Sequence, residues 1–365
     1  MGFNCGIVGL PNVGKSTLFN ALTEAALAEA ANYPFCTIEP NVGRVPVPDP
    51  RLDQLARIAK SAKVIPTQLE FVDIAGLVRG ASRGEGLGNQ FLANIRQVDA
   101  VLHLLRCFEG ETTHVDGSVD PVRDADTVDT ELMLADLESV ERQLDQAGKK
   151  AKQGDKEAIQ KRDVLQPVAE ALRAGIPARN VSLTKEQRPV LKSLHLLTSK
   201  PVLYVSNVEE ESVATGNALS ETVQQRADAE GAGHVVISAA IEAEVAALGD
   251  PQEKAAFLHD LGLQESGLSR VIKEGNRLLD LLTFFTVGPK EARAWTVRRG
   301  ANAPEAAGVI HSDMERGFIR AETIHWTDFV ECGGEAQAKE AGKMRVEGRD
   351  YTVQDGDVFH FRFNV

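Results

Sequence analysis

Residues 9–16 read "GLPNVGKS", and the fold follows from what this octapeptide can do. Its spacing is G-x-x-x-x-G-K-[ST]. The apolar run "FNCGIVGL" leads into it, and "KSTLFNALTEAALAEA", rich in helix formers, follows. Strand, glycine-rich turn and helix in this order make a phosphate cradle. Gly9 and Gly14 let the backbone wrap close to an anion, so that successive N–H groups across Asn12, Val13, Gly14, Lys15, Ser16 and Thr17 point inward. The helix starting at Lys15 adds the positive end of its dipole. Lys15 then reaches the β- and γ-phosphates, and the Ser16 hydroxyl is a ligand for Mg²⁺. A purely structural glycine turn would not require the Lys-Ser pair, which makes it the weaker reading.

Working outward, "TQLEFVDIAG", "DAVLHLLRCF", "KPVLYVSN" and "HVVISAA" read as further strands with helical segments between them. That alternation predicts an α/β doubly wound sheet. Residues 42–72, with "VGRVPVPDPRLD" and "TQLEFVD", predict one antiparallel edge pairing. This nucleotide-binding domain is expected to span residues 1–280, interrupted by a helical hairpin over 130–200. There Leu132, Leu137, Val140 and Leu144 form a narrow apolar seam, and two long helices join near Gly154. Past Leu281 the composition shifts to short strands separated by Gly and Asp turns, predicting a small α+β domain over 281–365.

Composition narrows the class. Apolar residues make up 43% and charged residues 25%, as in soluble globular proteins. No run approaches the roughly 18 apolar residues of a membrane span. "MGFNCGIVGL" has neither a basic leader nor a cleavage site. Cys5, Cys36, Cys107 and Cys332 are scattered without a CxxC pair, the usage of a reducing compartment. The expectation is a soluble cytoplasmic protein with no membrane partner. A formal net charge of −13 argues against indiscriminate nucleic-acid binding, and no sequence-specific DNA binding is expected. Residues 130–200 nevertheless carry 13 Lys and Arg against 10 Asp and Glu, densest in "GKKAKQGDKEAIQKR". A solvated helical face is the plain reading of that stretch, and an RNA-touching arm the sharper one.

Asp73 closes the strand "TQLEFVD" and opens "DIAG", a D-x-x-G turn. In P-loop proteins an acid in this place holds Mg²⁺ through water, and the Gly76 N–H is placed to contact the γ-phosphate. Thr37 in "YPFCTIEPN" is the candidate for a further Mg²⁺ ligand; an isolated loop threonine would more often cap or face solvent. Ras-like switches orient the attacking water with a Gln after D-x-x-G, but here the residue is Leu77, which cannot.

The motifs "GLPNVGKST", "YPFCTIEPN", "DIAGLVRGASRGEGLGNQF" and "NVEE", in that order, resemble the YchF (Obg-like ATPase) family of the Obg-related P-loop GTPase class. The resemblance covers essentially the whole chain. It implies a coiled-coil arm at the helical insertion and a β-grasp TGS module at the C-terminus. It also implies cytosolic, mainly ATP-hydrolysing activity and association with ribosomes. Within "CFEGETTHVDGSVDP" it implies a catalytic role for His114, whereas a loop histidine taken alone would be solvent-exposed. Asn12 matches an Asn that in related proteins helps coordinate K⁺, whose charge replaces an arginine finger; the alternative is a turn contact within the loop.

"NVEE" stands where a guanine-reading loop would carry Asn-Lys-x-Asp. That Asp accepts from guanine N1–H and the 2-amino group, and adenine offers neither. Glu210 is one methylene longer, so the clamp is misplaced, and Val208 replaces the Lys that packs over the base. The Asn207 amide serves either purine, and Ser238 and Ala239 fit the loop that backs the base. The leading expectation is an ATPase switch that binds ATP more tightly than GTP and works with the ribosome or its RNA. A GTPase of relaxed specificity follows if Glu210 rotates to imitate Asp. A nucleotide-gated RNA- or ribosome-binding module with incidental hydrolysis is the reading from another class.

Overall fold

The computed structural model describes residues 3–30, 41–74, 87–110 and 118–364. Its strands are β1 (Phe3–Val8), β2 (Val42–Pro46), β3 (Val64–Ile65), β4 (Gln68–Asp73), β5 (Ala100–Arg106), β6 (Val202–Asn207), β7 (Gly233–Ile237), β8 (Leu281–Val287), β9 (Ala292–Arg298), β10 (Phe318–His325), β11 (Arg345–Glu347) and β12 (Asp357–Phe363). The first sheet has the order β2-β4-β1-β5-β6-β7. Its pairs are parallel except β2 with β4, which run antiparallel at the edge from Val42↔Val72 to Pro46↔Gln68. Every residue of β5 and β6 is buried, as a strand covered on both faces must be. Because β1, β4, β5, β6 and β7 are parallel, the loops after Val8, Asp73, Arg106, Asn207 and Ile237 all leave one edge of the sheet. That edge is where open α/β sheets bind ligands.

The helix Pro121–Ala151 begins at Asp120, whose carboxylate accepts from the Arg123 N–H at 3.0 Å, with Pro121 in the first turn. Its early turns belong to the main core through Ala125, Val128, Leu132 and Ala135. Beyond them it pairs with the helix Lys156–Arg173, and the two bury a separate core that includes Val140, Ala147, Val164, Leu165 and Val168. The turn between them passes through Gly154, at φ 84°. The root of this hairpin is pinned by polar contacts. Asp136 accepts from the Leu197 and Thr198 N–H groups at 2.9 and 2.8 Å. Arg226 donates to Asp129 at 3.0 Å and to the Tyr204 hydroxyl at 3.2 Å.

The second sheet has the order β11-β10-β12-β8-β9-β3. The helix Ala303–Ile310 lays Ala303, Ala306 and Ala307 against Phe284, Phe359 and Phe361. The sequence pattern gives no sign that β3 belongs here. Between β2 and β4 the chain leaves the first sheet, forms the helix Pro50–Ala59, and pairs β3 with β9 through Val64↔Ala292. Leu52, Leu55 and Ala56 of that helix share a core with Phe285, Ile324 and Phe329. Arg51 reaches Asp355 at 2.6 Å. The two sheets are therefore laced by a segment from the N-terminal half.

Candidate nucleotide site

The glycine-rich loop is built as its sequence demands. Gly14 has φ 94°, and Asn12 has φ 64°, a region Asn occupies more readily than most residues. A Cβ on Gly9 would lie 2.6 Å from the Leu104 carbonyl oxygen, so the loop could not pack on β5 with any side chain there. A Cβ on Gly14 would lie 2.4 Å from Asn207 Nδ2. Val13 is buried and anchors the loop, while Asn12, Ser16 and Thr17 are exposed. Lys15 Nζ lies 3.0 Å from Asp73 Oδ1, both side chains being mostly buried, so the cation and the acid that closes β4 face each other across the mouth of the cradle.

Asn207 does more than its place in the motif suggests. Its Nδ2 donates to the Val13 carbonyl at 3.0 Å, and its Oδ1 accepts from the Ala239 N–H at 2.9 Å. Both ends of the amide are thus engaged within the protein, leaving one Nδ2 hydrogen for a ligand. Beside it opens a cleft of about 430 Å³, lined among others by Gly14, Thr17, Phe108, Val208, Glu210, Ser238 and Ala239. That volume lies in the range of small-molecule sites. Ser238 and Ala239 are both buried where β7 passes into the helix Ala239–Ala247. Val208 is buried as well, and its N–H donates to the Ile237 carbonyl at 2.8 Å.

The two glutamates of "NVEE" differ in kind. Burial alone would raise the Glu209 carboxyl, but bonds from Ser212 and Asn217 outweigh it and hold the group below the usual carboxylate range. Glu210 is exposed at the cleft. Phe108 is a wall that sequence reasoning missed. The buried Arg106 guanidinium sits over its ring at 4.6 Å, and Arg106 Nε donates to its carbonyl at 3.0 Å, fixing an aromatic face beside the cleft. The available signal was an aromatic just past a strand that ends at the sheet's ligand edge. Burial pushes the neighbouring Cys107 thiol up to about 12, which keeps it protonated and unreactive.

Thr37, Gly76 and His114 lie outside the described residues. Among the described residues, no group of three or more His, Cys, Asp or Glu is placed to hold a metal by itself. A Mg²⁺ that enters with phosphates needs only one or two protein ligands, which Ser16 and Asp73 can provide.

Known proteins share both halves of the chain. Residues 4–159 match the family model described as a 50S ribosome-binding GTPase, and residues 281–364 match YchF-GTPase_C, described as a protein of unknown function. The chain is 58% identical over 366 residues to a protein of Haemophilus influenzae named ribosome-binding ATPase YchF, covering all of both chains. It is 55% identical over 368 residues to the Bacillus subtilis protein of the same name, again over all of both. The chain belongs to the YchF family. The solved structure of the Schizosaccharomyces pombe YchF GTPase superposes with a TM-score of 0.88 at 36% identity, covering 99% of this chain and 98% of that one. The P-loop nucleotide fold and the C-terminal module of this YchF-family chain therefore stand on sequence and structure together. No helix among the described residues is long and apolar enough to cross a membrane.

Lys15 pairs with Asp73 and belongs to no apolar core, which sets its expected phenotype under the phosphate reading. Lys15→Ala should abolish tight triphosphate binding in isothermal titration while leaving the circular dichroism spectrum unchanged. A folded variant with undiminished affinity would remove the phosphate assignment.

Proposed function

We propose that this chain is a Mg²⁺-dependent ATPase switch of the cytoplasm that acts on the ribosome. The observation that carries the choice of base is the state of "NVEE". Glu209 is tied back into the protein, Val208 is buried, and Glu210 lies exposed at the cleft, so no carboxylate is held rigidly for guanine N1–H and its amino group. The aromatic face of Phe108 serves adenine as well as guanine, since either purine can stack on it. Full-length relatives named ribosome-binding ATPases support the same reading. Relaxed GTP hydrolysis is the second reading, supported by the solved fission-yeast relative, which is named a GTPase.

In this scheme the Lys15 ammonium leaves Asp73 for the β- and γ-phosphates, and the loop N–H groups hold the phosphate oxygens. Ser16, Asp73 and Thr37 would hold Mg²⁺, which when bound neutralises charge on the phosphates. The Gly76 N–H would contact the γ-phosphate, and K⁺ beside Asn12 would add positive charge there. His114 would orient or deprotonate the attacking water, since Leu77 has no polar group for it.

ATP should bind more tightly than GTP in competition at fixed Mg²⁺, and Val208→Lys with Glu210→Asp should shift the ratio of dissociation constants toward GTP by about ten-fold, the worth of a bond to a charged group. A parent protein that already favours GTP ten-fold would overturn the ATP reading. His114→Ala should leave ATP affinity within a few-fold but slow multi-turnover hydrolysis by roughly ten-fold or more. Turnover at the parent rate would show that the water is handled elsewhere. Lys149, Lys150, Lys152 and Lys156 cluster where the hairpin helices turn, and the Lys149–Asp145 pair is too exposed to neutralise them. Changing all four to Gln should weaken ribosome binding and flatten its salt dependence without altering ribosome-free hydrolysis. Superimposable isotherms at every salt concentration would return the hairpin tip to an ordinary solvated surface.

A further inference from the structure

Asn217 caps the helix Ala218–Glu230, yet only half of its amide does so. Its Oδ1 accepts from the Ser220 N–H at 2.9 Å, while Ser220 Oγ accepts from the Asn217 N–H at 2.8 Å. Ser, Thr or Asp would cap a helix comparably. The other half of the amide is directed away from the helix. Asn217 Nδ2 donates to the Cys107 carbonyl at 2.7 Å and to the Glu209 carboxylate at 2.9 Å, two acceptors on two different loops. Cys107 immediately precedes Phe108, one wall of the cleft. Glu209 sits between Val208 and Glu210, which line the other. The same loops meet again where the Cys107 N–H donates to the Asn207 carbonyl at 2.8 Å. An Asp at 217 would have no hydrogen to give, and a Ser or Thr hydroxyl is shorter with only one.

We infer that Asn217 is a positioning residue for base selection, its amide clamping the loop that carries Phe108 to the loop that carries Val208 and Glu210 at the spacing a purine ring requires. This rests on reading the cleft as the base site of the ATPase proposed above. The clamp acts on the base and not on the phosphates, because the phosphate loop is tied to the same region through Asn207 and not through Asn217. The capping role and the clamping role can therefore be separated by chemistry.

Asn217→Asp keeps a good cap but replaces the donor with a carboxylate set against Glu209 and the Cys107 carbonyl. In the full-length protein, this variant should bind ATP and ADP about ten-fold more weakly or worse, with inorganic tripolyphosphate competing as it does against the parent. Adding Glu209→Gln should recover part of the loss, since the Gln amide can donate to the new Asp while the Cys107 carbonyl still lacks its donor. Should Asn217→Asp fail to fold, Asn217→Ser keeps a cap without adding charge and should show a several-fold loss of the same kind. Unchanged nucleotide affinity in a folded variant overturns the proposal. So does an equal loss for tripolyphosphate, or a loss that Glu209→Gln leaves untouched, because each marks a general structural effect. A parent preference for GTP would overturn the ATP reading alone, since the clamp is read on whichever purine binds.

Discussion

A single buried amide holds this site together. Asn207 leaves the end of β6 and bonds the Val13 carbonyl of the phosphate loop with one end and the Ala239 N–H of the base-backing turn with the other. Leaving either of those backbone groups without a partner in a buried position would cost about 1–3 kcal/mol, which is why the arrangement is rigid. Gly14 belongs to the same constraint. Its missing side chain makes room for the Asn207 amide, so the second glycine of the motif answers to the base loop as well as to the phosphates. One side chain thus joins the glycine-rich loop to the loop proposed to read the base.

The coupling extends beyond the cleft. The helix that follows the candidate catalytic loop starts at Pro121 in the main core and runs outward without a break as half of the hairpin. Its root is tied to β6 and to the helix Ala218–Glu230 through Asp129, Arg226 and Tyr204. That helix is the one capped by Asn217. The base-site walls, this helix and the root of the hairpin are thus joined by one run of hydrogen bonds. The second sheet is held to the first by the excursion between β2 and β4, through Leu55 in its core and the Arg51–Asp355 contact at its rim.

Much of this was legible from the residues. The parallel strands announced themselves as short apolar runs, and the phosphate loop by a spacing that chemistry dictates. The edge pair β2–β4 was legible too. The helix Pro50–Ala59 was missed although its signals were present: Asp49 accepts from the Arg51 N–H at 3.0 Å, Pro50 follows it, and apolar residues sit at 52, 55 and 56. Its partners, Phe285, Ile324 and Phe329, lie more than two hundred residues away, and no local pattern names them.

The sequence by itself determined the chemistry available: a phosphate cradle, an acid at the end of β4, and a base loop without the Lys and Asp that guanine rewards. These were readable because each depends on residue type at short, fixed spacing along one backbone segment. Only the tertiary structure decided which groups the amides hold. Asn207 looks in sequence like a base reader, and Asn217 carries no signal of its own. In the fold each has an amide divided between loops that lie far apart in the chain, Val13 and Ala239 for one, Cys107 and Glu209 for the other. A hydrogen bond is satisfied by proximity in space, and proximity between segments that far apart exists only once the sheet has brought their loops to one edge.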